Sequence, residues 1–290
     1  MKIALLPNLT RDTDGQITKE ICSWLRQYGA EYACQEEDRA VFGDVPEMQS
    51  FAFEVLVPWC DAIITVGGDG SMLRAAKSTV QYGKPILCIN AGRLAFMAGL
   101  ERTELELLKS LIEGDYQTET RMLLNVRLMR GGRVLKEENI INDVAVCRGS
   151  KVKIVDLDVS CDDRLINTYR ADGVVVSTPT GSSAYNLAAG GPVLNPSMTG
   201  IVVTPICPQS LFARSIVFSA DNRLTINISK DSRSKDVVVS LDGGESIKVM
   251  EGDVISVTRA EYDAQFIRIK TDPFFEILNN KLAGTEAEHS

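Results

Sequence analysis

Residues 62–71 read Ala62-Ile63-Ile64-Thr65-Val66-Gly67-Gly68-Asp69-Gly70-Ser71, an apolar run that ends in a glycine-rich turn. The run predicts a buried strand, and the residues from Met72 onward follow a helical pattern. Glycines let the backbone approach a ligand closely, and Ser71 is placed to cap the next helix, whose N–H groups attract anions. A carboxylate beside phosphate is costly unless it binds a metal ion or accepts a proton, so Asp69 indicates chemistry. A plain strand-to-helix turn is the alternative, and this stretch alone leaves both open.

The first part of the chain alternates short apolar strands with helical stretches. Strands are predicted at 2–7, 31–35, 61–66 and 86–89, and helices at about 15–28, 49–58 and 71–82. A further helix is predicted from Thr103 to Glu113, with Thr103 as N-cap and Glu106 completing a capping box. This alternation predicts a Rossmann-like α/β domain with a parallel sheet over residues 1–116. Ligands bind such sheets at the carboxyl ends of the strands, which is where the glycine-rich turn falls.

From about Tyr116 onward the sequence becomes β-rich. Gly131-Gly132 separates two strand-like runs, which is a hairpin signal, and further strand-like runs follow it. We therefore expect a C-terminal all-β, β-sandwich-like domain over 117–270, with the active site in the cleft between the two domains. A short helix over 271–283 is expected to pack back on the α/β domain, and 284–290 form a polar tail.

Composition limits the classes of function. The 290 residues are 44% hydrophobic and 24% charged, and no stretch approaches the roughly 20 apolar residues that span a bilayer, so we expect a globular protein that binds no membrane. Seven scattered cysteines without a C-x-x-C pair predict reduced thiols and a cytoplasmic location. The net charge of −8 argues against nucleic acid as the main partner. The single histidine, His289, leaves no catalytic triad and no histidine zinc site, so a general base must be another residue type, which favours Asp69.

The most specific segment covers residues 170–192. A strand there runs into a loop of small and hydroxyl-bearing residues, Thr178-Pro179-Thr180-Gly181-Ser182-Ser183-Ala184-Tyr185. Small side chains let a planar ligand lie against the backbone, and Tyr185 offers a stacking face worth about 1–3 kcal/mol per base. The alternative is a tight turn with a core tyrosine, but the surrounding Ser, Thr and Gly residues favour a binding loop.

Together these motifs resemble the NAD kinase family. The matching stretches are, in order, Gly67–Ser71, Asn90-x-Gly92-x-Leu94-x-Phe96, Asn142-Asp143, Asp172-Gly173, Thr178–Tyr185, Gly190-Gly191-Pro192 and Thr204–Leu211. The resemblance implies an enzyme that transfers the terminal phosphoryl group of ATP, or of inorganic polyphosphate, to the 2'-hydroxyl of the adenosine ribose of NAD, which gives NADP. It also implies Mg²⁺ held through the phosphates, with no protein metal ligand assigned.

The resemblance implies roles for individual residues. Asp69 would be the general base, Asn142 would hydrogen bond the adenine, and Asp143 would bind the ribose hydroxyls. Asp172 would reach the ligand of a neighbouring subunit in a homodimer or homotetramer. The phosphate-binding residues would be Gly67, Gly68, Gly70 and Ser71. The NAD-binding residues would be Asp69, Gly70, Arg74, Phe96, Asn142, Asp143, Lys153, Arg170, Asp172, Thr180, Ser183, Ala184, Tyr185, Asn186, Leu187, Ala188 and Cys207. For Arg74, a solvated helix residue is the open alternative.

Two other functions compete with this interpretation. A lipid kinase or a sugar kinase of the phosphofructokinase type shares the Gly-Gly-Asp-Gly turn, but the Gly-Thr-x-Asn-Asp and Thr-Ile-Asp-Asn-Asp segments that accompany it there are missing. A non-catalytic NAD-binding sensor would keep the pocket without turnover, and the intact Asp69 disfavours it. An assay with ATP and each acceptor separates the three.

Overall fold

The computed structural model describes residues 1–92, 97–151, 153–270 and Leu278. The chain divides into two compact units. The first comprises the described residues of Met1–Thr120 and those from Ala264 onward, and the second comprises the described residues of Arg121–Asp263. No helix within the described ranges is long and apolar enough to span a membrane.

Strands and helices alternate up to residue 121. The strands are β1 (Lys2–Pro7), β2 (Glu31–Gln35), β3 (Gln49–Phe51), β4 (Ala62–Gly67), β5 (Ile86–Asn90), β6 (Leu100–Glu101) and β7 (Gln117–Arg121), and the helices are α1 (Gln16–Gln27), α2 (Arg39–Phe42), α3 (Phe53–Trp59), α4 (Asp69–Thr79) and α5 (Leu108–Glu113). The buried apolar runs that predicted β1, β2, β4 and β5 form these strands, so the predicted α/β architecture is confirmed.

In the rest of the described chain, nearly all of the regular secondary structure is strand. Its strands are β8 (Leu124–Arg130), β9 (Arg133–Ile140), β10 (Asp143–Arg148), β11 (Val155–Cys161), β12 (Arg164–Ala171), β13 (Gly173–Ser177), β14 (Ile201–Ile206), β15 (Ile216–Phe218), β16 (Leu224–Ile228), β17 (Val237–Leu241), β18 (Ile247–Val249), β19 (Val254–Arg259) and β20 (Ala264–Arg268). One short helix, α6 (Tyr185–Ala188), follows a 3-10 turn over Thr180–Ser183.

The sheet of the first unit has the strand order β3-β2-β1-β4-β5-β20-β7, with β6 added beside β5. Strands β1 to β5 pair in parallel, and apolar side chains such as Ile3, Leu5 and Ile64 pack against Ile21 and Leu25 of α1. The strand order reverses at β1, which has β2 on one side and β4 on the other. This reversal leaves a crevice at the carboxyl ends of β1 and β4, the usual ligand position in such sheets.

The second unit is a sandwich of two antiparallel sheets. One has the strand order β15-β14-β13-β10-β17-β18 and the other has β12-β11-β16-β19-β8-β9. The inward side chains of both sheets, among them Val144, Val176, Leu157 and Ile226, form one continuous core. The alternation of buried and half-buried residues along β16 and β17 fits sheets that bury a single face. The predicted all-β architecture is confirmed.

Local details differ from the predictions. The helix predicted over 49–58 is instead β3 followed by α3, because Ser50 pairs with Cys34 at the edge of the sheet. The capping box joins Glu101 and Glu104 rather than Thr103 and Glu106, since the chain leaves β6 at Glu101 and turns helical at once.

The β-rich domain was predicted over 117–270, whereas the second compact unit covers Arg121–Asp263. Strand β20 pairs in parallel with β5, with Phe266 opposite Ile86, and β7 lies beside β20. Both strands therefore belong to the first sheet. The helix predicted over 271–283 and the polar tail over 284–290 lie outside the described residues, apart from Leu278.

Candidate active site

The turn between β4 and α4 depends on its first glycine. Gly67 has φ +153°, and a Cβ built there would lie 2.3 Å from Ser71 Oγ, so the position requires glycine. Gly68 is the N-cap of α4, and the Ser71 N–H donates to its carbonyl oxygen at 2.8 Å. The prediction that Ser71 caps the helix is wrong, because α4 begins two residues earlier, at Asp69.

Ser71 instead joins two strand ends. Its side chain is buried, and Oγ accepts a hydrogen bond from Asn8 Nδ2 at 2.8 Å. Asn8 follows β1, and its backbone N–H donates to the Val66 carbonyl oxygen of β4 at 2.9 Å. The turn is thereby fixed at the point where the strand order reverses.

Asp69 lies in the first turn of α4 and is half-buried. Its Oδ1 accepts the backbone N–H of Met97 at 3.0 Å, and the helix N-terminus favours its negative charge. Nearby, Asn90 ends β5 with a buried side chain, whose Nδ2 donates to Glu101 Oε2 at 2.9 Å. Three strand ends thus carry polar side chains at one edge of the sheet.

A cavity of about 600 Å³ opens at this edge, within the range of roughly 300–1,000 Å³ typical of small-molecule sites. It is lined by Asn8, Thr10, Arg11, Gly67, Gly68, Asp69, Gly70, Ser71, Arg74, Asn90, Ala91 and Gly92. All four predicted phosphate-binding residues are among them. Arg11 and Arg74 are exposed at this cavity, so it offers two cations and several backbone N–H groups to an anion around the single carboxylate of Asp69. We call it the turn pocket.

In the second unit, the segment before β10 is held by an aspartate that the sequence analysis missed. Asp242 follows β17 and accepts three backbone N–H groups, from Ile141 at 3.0 Å, Asn142 at 2.8 Å and Asp143 at 3.2 Å. Its partners lie about a hundred residues earlier in the chain, so no local sequence pattern predicts the contact. Asp242 is therefore a positioning residue for Asn142 and Asp143.

The Thr178–Ser183 loop packs directly on the same segment. The Thr178 hydroxyl donates to the Ile141 carbonyl oxygen, and the Thr178 N–H donates to the Asn142 carbonyl oxygen at 2.9 Å. A Cβ built on Gly181 would lie 2.1 Å from that Asn142 oxygen, so glycine is required for this approach. Thr180 is buried, and its Oγ1 lies 3.4 Å from Arg121 Nη1.

Asn186 is completely buried in α6. Its Nδ2 donates to the carbonyl oxygens of Ser182 at 3.0 Å and Pro192 at 2.9 Å, and its Oδ1 accepts the Thr204 hydroxyl at 2.6 Å. The amide group therefore joins the two ends of the loop to β14. This side chain supports the site from inside the protein.

Asp143 and Tyr185 share an electrostatic environment. Burial, with the neighbouring Asp242 carboxylate, raises the pKa of Asp143 to about 6, although the backbone N–H of Tyr185 opposes the shift. Burial also raises the pKa of Tyr185, whose side chain lies beside the Cys147 thiol. The Tyr185 side chain is nevertheless 42% exposed, so a ring face is accessible for stacking.

Two of the predicted NAD-binding residues, Arg170 and Asp172, each form an ion pair with another side chain of the protein. Arg170 Nε donates to Asp156 Oδ1 at 2.7 Å, and Arg148 Nε donates to Asp172 Oδ1 at 2.7 Å. Neither Asp156 nor Arg148 was predicted as a site residue.

The remaining predicted residues are placed as follows. Ser183 and Leu187 are half-buried, while Ala184, Ala188, Lys153 and Cys207 are exposed. Phe96 lies outside the described residues. Within the described ranges, no three His, Cys, Asp or Glu side chains gather closely enough to hold a metal ion. Several predicted residues therefore line the turn pocket, and the Thr178–Ser183 loop packs on the segment at the start of β10. Asp172 instead lies beside Arg148, the last residue of β10.

Comparison with known proteins gives consistent matches over most of the chain. Residues 3–116 match the family model of the ATP-NAD kinase N-terminal domain, and residues 141–269 match that of the ATP-NAD kinase C-terminal domain. The NAD kinase of Caldanaerobacter subterraneus subsp. tengcongensis is 33% identical over 282 residues, which cover 97% of this chain and 98% of that protein. The NAD kinase of Desulforamulus reducens is 35% identical over 281 residues, with 97% and 96% covered.

Solved structures share the fold. A yeast NADH kinase complexed with NADH superposes with a TM-score of 0.87 at 23% identity, covering 100% of this chain and 89% of that one. An NAD kinase from Archaeoglobus fulgidus in complex with ATP superposes with a TM-score of 0.71 at 24% identity, covering 98% and 99%. The resemblance found in the sequence is confirmed.

Proposed function

The chain belongs to the NAD kinase family and phosphorylates NAD, and from this premise we propose which of its residues carry out the reaction. Asp69 is the general base, and the turn pocket holds the phosphates. The observation that carries this assignment is the single carboxylate among the glycines, backbone N–H groups and arginines that line that pocket. The lipid-kinase, sugar-kinase and sensor alternatives are not favoured, because relatives matched over nearly their whole length are named NAD kinase.

The proton transfer explains why a carboxylate lies in an anion pocket. A ribose hydroxyl is a weak nucleophile at neutral pH. As the 2'-oxygen bonds to the terminal phosphorus of ATP, the bond from that phosphorus to the leaving diphosphate oxygen breaks, and Asp69 takes the hydroxyl proton. General base catalysis of this kind contributes about 10²–10⁴-fold. The Met97 N–H holds the Asp69 carboxylate in position.

For NAD binding we propose a second set of residues. Asn142 would hydrogen bond the adenine and Asp143 the ribose hydroxyls, with Thr180, Ser183 and Ala184 lining the pocket and Tyr185 stacking on the base. Support comes from the close packing of the Gly181 loop on Asn142 and from the accessible Tyr185 ring. Because its amide group is engaged within the protein, we assign Asn186 a positioning role. That both sets of residues act on one NAD molecule in an interdomain cleft stays a prediction.

The donor is ATP, as both family models name it, and use of polyphosphate stays a prediction. We propose that Mg²⁺ is bound mainly by the donor's phosphate oxygens, where it would offset their charge, since Mg²⁺ prefers phosphate oxygens with few protein ligands. We also propose a homodimer or homotetramer in which Asp172, fixed by Arg148, reaches a neighbour's ligand. We propose a cytoplasmic location, because four of the cysteines, Cys22, Cys34, Cys60 and Cys88, are buried as free thiols, and burial raises the pKa of Cys22 to about 12 and of Cys34 to about 11.

One assay tests the proposed function. The purified protein is incubated with ATP, Mg²⁺ and, in turn, NAD, a diacylglycerol or a sugar phosphate, and NADP is measured separately from other products. We expect NADP with NAD alone. Tight NAD binding without NADP formation would support the sensor, and phosphorylation of another acceptor would support one of the other kinases.

A further inference from the structure

A second cavity adjoins the turn pocket in the first unit. It has a volume of about 720 Å³ and lies on the β2 side of β1. Its walls are the ends of β1 and β2, the start of α3 and one face of α4, with Gln35, Asp38, Phe53 and Lys77 among its lining residues.

The two cavities share a wall. Asn8, Ser71 and Arg74 line both of them. The Arg74 guanidinium lies 3.5 Å from Ser71 Oγ, and Asn8 hydrogen bonds to the same oxygen. An extended ligand can therefore lie with one end in each cavity. Its middle part would then contact these three polar side chains.

The charges of the second cavity change along its length. Arg74 and Lys77 lie three residues apart on one face of α4, which places two cations next to the turn pocket. Asp38 lies three residues beyond the end of β2 and is half-buried beside Gln35, whose side chain hydrogen bonds to it, and burial raises its pKa. In dinucleotide-binding doubly wound sheets, an acidic residue about 20 residues beyond the glycine-rich turn hydrogen bonds a ribose hydroxyl, and Asp38 offers a carboxylate near the end of β2 that could bind a ribose in the same way.

An aromatic ring completes the cavity. Phe53 is half-buried at the start of α3 and is held edge-on against Tyr82, with the ring centroids 6.4 Å apart. Aromatic faces in nucleotide sites stack on bases. The cavity thus offers an aromatic ring and a carboxylate, followed by cations in the direction of Asp69.

We propose that this second cavity holds the nucleoside of the phosphoryl donor, with the base on Phe53, the ribose on Asp38, and the phosphates passing Lys77 and Arg74 into the turn pocket. The inference rests on the proposed function, because the terminal phosphoryl group must arrive beside Asp69. This binding mode implies that the phosphoryl donor this protein is adapted to bind is a nucleoside triphosphate rather than bare polyphosphate.

The test compares ATP with inorganic tripolyphosphate, which carries the phosphates without the nucleoside. Phe53→Leu and Asp38→Asn should raise the KM for ATP about tenfold, the loss expected for one base stack or ribose contact, and leave the KM for NAD unchanged. Val55→Ala and Glu37→Gln, exposed neighbours that do not line the cavity, are the matched controls. Circular dichroism and thermal unfolding check that each variant folds.

Binding measured without turnover provides the second readout. In an Asp69→Asn background, Phe53→Leu should weaken ATP binding but not tripolyphosphate binding, whereas Lys77→Ala should weaken both. Unchanged ATP affinity in the Phe53 and Asp38 variants, or an equal rise in the KM for NAD, would overturn the inference while wild-type NADP formation still supports the proposed function. Absence of NADP formation by the wild type would instead remove the proposed function itself.

Discussion

Asp242 Oδ1 lies 2.8 Å from the backbone nitrogen of Asn142, and the Asp242 N–H donates in return to the Asp143 carbonyl oxygen at 2.9 Å. Asp242 adopts φ +47°, a conformation that aspartate and asparagine tolerate better than most residues. The turn after β17 therefore fixes the start of β10 through a carboxylate that accepts three backbone N–H groups.

This contact makes Asp242 a sensitive position for NAD binding. Asp242→Ala should lower the free energy of unfolding by about 1–3 kcal/mol, since it leaves backbone donors without their acceptor, and should raise the KM for NAD. Asp242→Asn keeps one oxygen acceptor and should have the smaller effect. Urea unfolding and steady-state kinetics measure both, with the exposed Asp231→Ala as control. Equal effects of the alanine and asparagine variants would contradict this role.

Asp143 should make stability depend on pH. Its pKa is raised to about 6 in the folded protein from a usual value near 3.8, so the folded state binds the proton more tightly than the unfolded state. Stability is then full below pH ~4 and falls as the pH rises to ~6, by up to about 3 kcal/mol. Asp143→Asn should be more stable than wild type at pH 7 but not at pH 4. Denaturant unfolding of both proteins at pH 4 and pH 7 tests this expectation. An equal difference in the free energy of unfolding at the two pH values would exclude a titration effect.

The general base is tested by Asp69→Asn. The amide keeps the size of the side chain and an oxygen that can accept the Met97 N–H, but it cannot take a proton. We expect kcat to fall by about 10²–10⁴-fold while the Kd for NAD, measured by calorimetry, changes little. Asp61→Asn, at an exposed residue before β4, is the control. Near-normal turnover would mean that another group takes the proton.

Substitution of Asn186 distinguishes a positioning role of this residue from a direct contact with NAD. Asn186→Ala removes three buried hydrogen bonds and should lower the free energy of unfolding by about 2–4 kcal/mol, because two carbonyl oxygens lose their donor. Urea unfolding measures this loss, with Asn227→Ala at a half-buried position in β16 as control. If stability were unchanged and only NAD affinity fell, Asn186 would be a direct ligand after all.

The sequence predicts those features that depend on neighbouring residues. Continuous apolar runs are enough to locate β4 and β5, because strands buried on both faces need apolar residues throughout. Gly67 and Gly181 can also be recognised in the sequence, because each lies in a glycine-containing motif. At both positions a side chain would collide with neighbouring atoms. The motifs that meet these local requirements, taken in chain order, are also the motifs that resemble the NAD kinase family.

Features that depend on distant residues could not be predicted. Asp242 acts on residues a hundred positions away, and a turn aspartate in a sequence does not show which backbone it will meet. Asn186 lies within a binding loop, so only its burial reveals that its amide faces inward. The cap at Gly68 was missed because a glycine without a side-chain acceptor looks weaker than Ser71 as a helix start.

The position of β20 has a consequence for how the chain folds during synthesis. β20 lies between β5 and β7 in the first sheet, yet it is made after the whole of Arg121–Asp263. While the ribosome is still adding the second unit, β7 lacks the neighbour that the described residues give it in the sheet order, and β5 lacks its partner at Ile86, where Phe266 pairs. The second unit is continuous in the chain, whereas the first sheet cannot reach its full strand order until the second unit has been synthesised.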